Sequence, residues 1–282
     1  MLNVDIVRFK NLSELWKGIA AVQRPRRYFA GGTDLVVLAK AGIGVPCTWV
    51  DLTPLKELKR IYEDKEAIFL GAGLSLLELE ESDLVRRWAP ALSDVFPEFA
   101  GPPIRGSATL GGNCANASPA GDSLPALYAE EARVVLERFG KRRELPIENF
   151  ILGPRKTALR PDELLLGFSV PKRPHKGAFL KLGPRKGLAI AKASVAAAVV
   201  LEDGLVKKLR VALGAAGPTV IRSRRVEALL EGRALSSANI ERARALAGEE
   251  ARPITDHRSS AEYRRAMCGV LLGRILERFS RC

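Results

Sequence analysis

Groups for acid–base, covalent or metal chemistry are scarce in this 282-residue chain. It has two histidines, and its four cysteines are scattered, with no Cys-x-x-Cys pair among them. Iron–sulfur clusters and structural zinc sites need clustered ligands. We therefore predict that the chain holds no metal site and that its thiols are buried or incidental. These are Cys47, Cys114, Cys268 and Cys282.

Sequence motifs of the common enzyme classes are also missing. The chain has no Gly-x-Ser-x-Gly, no His-Glu-x-x-His, no Walker A motif and no Gly-x-Gly-x-x-Gly. Serine hydrolases, zinc proteases, P-loop NTPases and ordinary dinucleotide-binding folds are disfavoured. We predict no catalytic side chain, so any enzymatic role would depend on a cofactor that does the chemistry.

Long apolar runs are absent. No segment approaches the roughly 18 to 20 apolar residues that a membrane helix needs, and the most apolar window, 189–201, contains Lys192. The first residues show neither a basic nor an apolar signal-peptide region. These features predict no membrane span and, by default, a cytoplasmic location.

Acidic residues are few in the last third of the chain. The net charge is +13, and residues 173–282 carry 22 Lys and Arg against 10 Asp and Glu. Such a surface suits nucleic acid, an acidic protein or an anionic dinucleotide, although solvated arginines on helices explain it equally well. Aromatic residues are sparse there and no nucleic-acid motif is present, so we expect no nucleic-acid partner.

The segment Pro102–Pro125 is rich in Gly, Pro and small polar residues, and neither helical nor strand periodicity can be sustained along it. We predict a long functional loop. Gly111 and Gly112 would permit positive φ, and successive N–H groups freed by such turns would bind an anion. Side chains for hydrogen bonding surround this centre: Thr109, Asn113, Ser118 and Asp122.

A second Gly-Gly turn precedes it. Residues 28–37 read as a strand, a turn at Gly31 and Gly32, and a helix that Thr33 or Asp34 would cap. One such turn is weak support for phosphate binding, but two turns with a neighbouring Thr suggest a ligand with two phosphates. Spacing alone does not identify a flavin.

The remaining pattern gives the order of elements. Asn3–Phe9 begins a β-α-β-α-β pattern in which Ser13 would cap the first helix. The Pro- and charge-rich segment 171–177 is the best domain boundary. After it, we predict strands and then helices. The strands are 178–182, 193–201 and 206–213, and the helices are 221–230, 237–246 and 261–279.

Several of these segments, in this order, resemble the FAD-binding medium subunit of the molybdenum hydroxylases, the family of xanthine dehydrogenase and aerobic carbon monoxide dehydrogenase. The most specific are Ala30-Gly-Gly-Thr-Asp34, Thr109-Leu-Gly-Gly-Asn113 and Ser118-Pro-Ala-Gly-Asp122. More modest matches are 161–166, 181–185 and 256–265, so the resemblance spans essentially the whole chain.

The resemblance implies an α+β fold. A PCMH-type FAD-binding domain would occupy residues 1–172, with subdomains of about 1–55 and 56–172. A smaller C-terminal domain, residues 173–282, would contain a three-stranded antiparallel sheet and helices.

The resemblance also implies which residues bind FAD. The predicted contacts are Ala30, Gly31, Gly32, Thr33, Asp34, Thr109, Leu110, Gly111, Gly112, Asn113, Asp122, Leu166 and Lys181. Three of them have simple structural alternatives: Asp122 as a turn or helix cap, Leu166 as a strand core residue, and Lys181 as a surface lysine.

The function implied is electron relay. A molybdopterin-binding large subunit would oxidise the substrate, and a small subunit with [2Fe–2S] clusters would pass electrons to FAD on this chain. NAD⁺ or another acceptor would then receive them, in a complex that is typically a dimer of heterotrimers. Two alternatives stay open at this point: a self-contained FAD enzyme, or a basic binding module whose glycine segments are plain turns.

Overall fold

The computed structural model describes residues 4–185 and 187–281, so Asn3 and Cys282 lie outside the described residues. The described chain forms three sheet-centred units in sequence order, built on a three-stranded, a five-stranded and a four-stranded sheet. The mixed α+β class expected from the sequence is confirmed.

The first unit has a parallel sheet whose strand order is β1-β3-β2. Leu15 and Ile19, on and just after the first helix, are fully buried against it. Asn11, and not Ser13, caps this helix, because its side chain accepts from the backbone N–H of Glu14 at 2.9 Å. The elements are β1 (Val4–Arg8), α1 (Leu12–Gly18), β2 (Arg26–Phe29), α2 (Leu35–Lys40) and β3 (Cys47–Asp51).

The second unit has an antiparallel sheet of order β4-β5-β10-β6-β7 with helices packed on it. Its strands are β4 (Ile61–Glu63), β5 (Ala67–Gly71), β6 (Arg133–Arg138), β7 (Lys141–Pro146), β8 (Ile151–Gly153), β9 (Lys156–Thr157) and β10 (Leu164–Pro171), of which β8 and β9 form a separate ribbon. Its helices are α3 (Leu76–Glu80), α4 (Asp83–Trp88), α5 (Pro90–Ser93), α6 (Pro102–Ser107), α7 (Leu110–Asn116), α8 (Ser123–Ala129) and α9 (Ile147–Phe150).

The segment Pro102–Pro125 is therefore not the long loop predicted from its composition. It contains α6, α7 and the start of α8. Gly111 and Gly112 lie inside α7 and are not among the positive-φ residues. The first two helices span six and seven residues, too few for a 3.6-residue period to show in the sequence.

The third unit has an antiparallel sheet of order β11-β12-β13-β14. The predicted three strands are present, and a fourth, two-residue strand precedes the helix that was expected to start at Ile221. The elements are β11 (Lys176–Leu182), β12 (Ala193–Glu202), β13 (Leu205–Gly214), β14 (Ile221–Arg222), α10 (Arg224–Leu230), α11 (Ser237–Glu250) and α12 (Ala261–Ser280). Across the described ranges, no helix has the length and apolar character to cross a membrane.

Strand β12 is buried on both faces, which explains its Ala- and Val-rich sequence. Ala196 and Ala198 belong to the core of the second unit, whereas Val195, Ala197 and Val199 face the core beneath α11 and α12. The small alanines allow α5 and α8 of the second unit to pack closely on the sheet. The second and third units thus share a continuous apolar interface.

A buried His–Glu pair also joins these two units. His175 Nε2 lies 2.8 Å from Glu130 Oε2, and the two side chains are each 1% exposed. His175 Nδ1 lies 2.8 Å from the carbonyl oxygen of Arg173, so Nδ1 carries the proton that it donates. Burial lowers the pKa of His175, but the hydrogen bond and charge of Glu130 outweigh this effect, and the pKa is raised.

We expect this pair to stabilise the fold at low pH. Because the folded-state pKa of His175 is raised, its contribution is complete below the ordinary pKa of about 6.5 and is lost as pH rises through the folded-state value. The free energy of unfolding of the native chain and of Glu130→Gln, measured from pH 5.5 to 8.5, should therefore differ most at the acidic end. A difference that does not change with pH would contradict this role.

Candidate FAD site between the first two units

A cleft of about 870 Å³ separates the first unit from the second. One wall follows β2 into the N-terminus of α2, residues 26–35. The other is made by most of residues 108–116 together with Arg155, Leu159, Leu164 and Leu165. Both predicted glycine segments therefore line the same cavity. This arrangement suits an elongated ligand held between two walls.

The first wall carries unpaired backbone donors. In the part of the chain that the structure describes, the N–H groups of residues 31–34 donate to no other group. Gly32 has φ of +71°, which favours glycine. Asp34 occupies the N-cap position of α2, but its side chain makes no capping hydrogen bond. The backbone here can therefore donate hydrogen bonds to an anionic ligand.

Three backbone donors of the second wall are used internally, so these three are not free for the anion-binding role predicted for them. The N–H groups of Leu110, Gly111 and Gly112 donate to Leu74 O at 3.2 Å, to Ala72 O at 2.9 Å and to Thr109 Oγ1 at 3.0 Å. A Cβ on Gly111 would lie 2.5 Å from Ala72 Cβ. Gly111 is thus required for close packing of α7 on the segment after β5.

The second wall therefore presents side chains and the exposed Gly112 to the cleft. Asn113 lines the cleft, and its Oδ1 accepts a hydrogen bond from Ser123 Oγ at 2.7 Å. This contact fixes the carboxamide and leaves Nδ2 without an acceptor among the described residues. Gly112 is exposed, and Thr109 also lines the cleft, whereas Leu110 is fully buried in the core.

Comparison with known protein families matches residues 2–173 to the "FAD binding domain in molybdopterin dehydrogenase" and residues 178–279 to the "CO dehydrogenase flavoprotein C-terminal domain". The chain belongs to the FAD-binding subunits of the molybdopterin dehydrogenases. It is a flavoprotein subunit of the oxidoreductase class, as the resemblance implied.

Individual relatives cover most of this chain. It is 30% identical to the putative xanthine dehydrogenase FAD-binding subunit of Escherichia coli K12, over 84% of this chain and 83% of that protein. It is 29% identical to the carbon monoxide dehydrogenase medium chain of Hydrogenophaga pseudoflava, over 91% and 90%. A crystal structure of carbon monoxide dehydrogenase from Hydrogenophaga pseudoflava superposes with a TM-score of 0.93 and 28% identity, covering 99% of this chain and 98% of that chain.

The residues of the cleft fit FAD. Unpaired N–H groups at residues 31–34 suit its diphosphate, and the apolar lining suits its ring systems. Nine of the predicted contacts line the cleft: Ala30, Gly31, Gly32, Thr33, Asp34, Thr109, Gly111, Gly112 and Asn113. Gly111 is among them although its backbone N–H is committed to Ala72.

Leu166 does not line the cleft. Its side chain lies in the core that the first and second units share, and its carbonyl oxygen accepts from the backbone N–H of Ala72 at 2.8 Å. Leu164 and Leu165 line the cleft in its place. The Leu166 side chain is thus that of a strand core residue, which was the structural alternative considered for it.

Asp122 and Lys181 pair with each other outside the cleft lining. Lys181 Nζ lies 2.7 Å from Asp122 Oδ2 and donates to Glu98 O at 2.5 Å, and the side chains are 4% and 10% exposed for Lys181 and Asp122. Asp122 Oδ1 is buried and has no partner in the part of the chain that the structure describes. Burial raises the pKa of Asp122 to about 6, against the opposing effect of Lys181. Lys181 is thus neither the surface lysine of the alternative reading nor a free cation.

Tyr28 and Arg155 are among the cleft residues that sequence reasoning missed. Tyr28 lines the cleft with its hydroxyl buried and without a partner among the described residues, and burial raises its pKa. Arg155 lines the opposite wall from a turn with φ of +57°. The sequence signal was faint for both: an aromatic residue two positions before Ala30, and an Arg in a Gly-Pro-Arg-Lys turn.

The three described thiols do not line the cleft. Cys47, Cys114 and Cys268 are buried and unpaired, and burial raises the pKa of both Cys114 and Cys268. Among the described residues, no group of three or more His, Cys, Asp or Glu side chains could hold a metal ion.

Proposed function

We propose that this chain is the electron-transfer subunit of a molybdenum hydroxylase complex. It receives electrons from [2Fe–2S] clusters on a small subunit and passes them to NAD⁺ or another acceptor. A large subunit with molybdopterin oxidises the substrate. The assembly we propose is a dimer of heterotrimers in the cytoplasm, with residues 1–172 binding FAD and residues 173–282 forming the C-terminal domain.

The observation that carries this proposal is a cofactor cleft almost without proton-transfer groups. Among the described residues that line it, Asp34 is the one carboxylate and Tyr28 the one phenol, and none is His, Cys or Glu. FAD, when bound, accepts and releases electrons. The chain's own residues bind and orient it: the N–H groups of residues 31–34 hold the anionic part, and the apolar lining excludes water.

The test uses the complex as it purifies from its native cell. Flavin is stripped from half of the sample, both halves are reduced with dithionite, and acceptors are added without oxygen. We expect the clusters to be reoxidised rapidly when FAD is present and slowly when it is absent, with recovery after FAD is restored. Equal rates with and without FAD would contradict the proposal. Purification of an active chain without partners would favour a self-contained FAD enzyme instead.

A further inference from the structure

Arg155 is a cation of the cleft, and its ion-pair contact with Asp34 is long. Its Nη1 lies 3.8 Å from Asp34 Oδ2, beyond a normal hydrogen bond, and the side chains are 61% and 46% exposed. Exposed pairs of this kind are weak. We propose that Arg155 binds the diphosphate of FAD, exchanging its contact with Asp34 for the phosphate oxygens. This inference rests on the FAD binding that the proposed function requires.

The position of Arg155 is fixed by its backbone. It lies at the turn between β8 and β9, where its N–H donates to the carbonyl oxygen of Ala117 at 3.0 Å. Ala117 is the C-cap of α7, immediately after the residues that form the second wall. The turn is therefore attached to the second wall, while the guanidinium reaches Asp34 on the first wall.

The Arg155 guanidinium lies beside the free backbone N–H groups of the first wall. Asp34 is the last of the residues 31–34 whose N–H groups lack acceptors. A guanidinium beside Asp34 can thus share an anion with those N–H groups. Arg is suited to this because its planar fork binds phosphate bidentately through charge-assisted hydrogen bonds.

The other arginines of the cleft are committed or distant. Arg26 donates to Ile19 O at 2.7 Å and contacts Asp162. The Arg27 side chain extends to Gly44, because a Cβ added to Gly44 would lie 2.5 Å from Arg27 Nη2. Gly44 follows the C-terminal end of α2, whereas Asp34 precedes its N-terminal end. Arg155 is therefore the cation placed at the free N–H groups.

Asp34 and Arg155 should have opposite effects on FAD affinity. The Asp34 carboxylate competes with phosphate for Arg155 and repels it, and it makes no capping bond that its loss would break. We expect Asp34→Asn to tighten FAD binding by about 2- to 5-fold. Arg155→Ala should weaken it by about 10- to 100-fold, and Arg155→Lys should be intermediate.

The experiment titrates FAD into the flavin-stripped complex and follows quenching of flavin fluorescence. Lys156→Ala is the matched control, because Lys156 is exposed on the same turn, does not line the cleft and has no side-chain partner among the described residues. A second titration with riboflavin, which lacks phosphates, should show no difference between the native protein and Arg155→Ala.

Three outcomes would overturn the inference. One is Arg155→Ala binding FAD as Lys156→Ala does. Another is an equal loss of FAD affinity in Asp34→Asn and Arg155→Ala, with no further loss in the double variant. That result would mean that Arg155 acts only through its ion pair with Asp34. The third is failure of the native complex to take up FAD, which would overturn the proposed function as well. The first two outcomes overturn only the role of Arg155, because in them the native complex still binds FAD.

Discussion

Replacing Gly31 with alanine should remove most of the bound FAD while the fold stays intact. A Cβ at this position would lie 1.8 Å from the carbonyl oxygen of Ser107 and 2.6 Å from its carbonyl carbon. Gly31 does not have positive φ, so the effect is one of contact and not of backbone strain. Ser107 ends α6 on the second wall, and the added methyl group must push the two walls apart.

We expect the affinity for FAD to fall by about 10- to 100-fold, because relieving an overpacked backbone contact costs about 1–3 kcal/mol. The matched control is Gly106→Ala, one residue before Ser107 in α6. Its nearest contact would be Leu77 Cδ2 at 4.0 Å, and alanine is favoured over glycine in a helix. Thermal unfolding reports whether each variant is folded. Retention of FAD by Gly31→Ala at the level of Gly106→Ala would show that the walls do not meet here.

The local sequence was sufficient to predict those parts of the site whose geometry depends on neighbouring residues. The strand, Gly-Gly turn and helix around Ala30–Asp34 were predicted because a positive φ at Gly32 and a helix start are properties of neighbouring residues. The order of strands and helices followed from the same kind of signal. The α+β class and the FAD-binding family came from the resemblance of whole motifs, since spacing alone stops at a ligand with two phosphates.

Local sequence failed where a distant segment decides the outcome. The N–H groups of Leu110 and Gly111 seemed free, yet Leu74 and Ala72 supply their acceptors from the segment after β5. The partners of Lys181, Glu98 O and Asp122, also come from another unit. Composition and spacing contain no information on such pairings.

The Lys181–Asp122 pair gives the second large prediction. Replacing Lys181 with methionine keeps a chain of similar length but leaves the Asp122 carboxylate buried without its cation. Removing one partner of a buried ion pair costs about 3–5 kcal/mol. Since the pair connects β11 to the segment before α8, we expect a lower free energy of unfolding at pH 8 and a C-terminal unit that opens first.

The pH dependence separates this effect from a simple loss of packing. The pKa of Asp122 is raised to about 6 in the native fold, so its contribution to stability is complete below the ordinary value of 3.8 and is lost by about pH 6. Without Lys181 the folded-state pKa rises further, and the loss continues above pH 6. The stability difference between the native protein and Lys181→Met should therefore be small near pH 4 and widen from about pH 6 upwards.

The double variant Asp122→Asn with Lys181→Met is the decisive control, because it removes the carboxylate that titrates. Its stability should show no widening gap from the native protein above pH 6, and at pH 8 it should exceed that of Lys181→Met alone. Urea unfolding at pH 4.5, 6 and 8 measures all three proteins. A deficit in Lys181→Met that is the same at each pH would mean that Asp122 is solvated and that the pair contributes only packing.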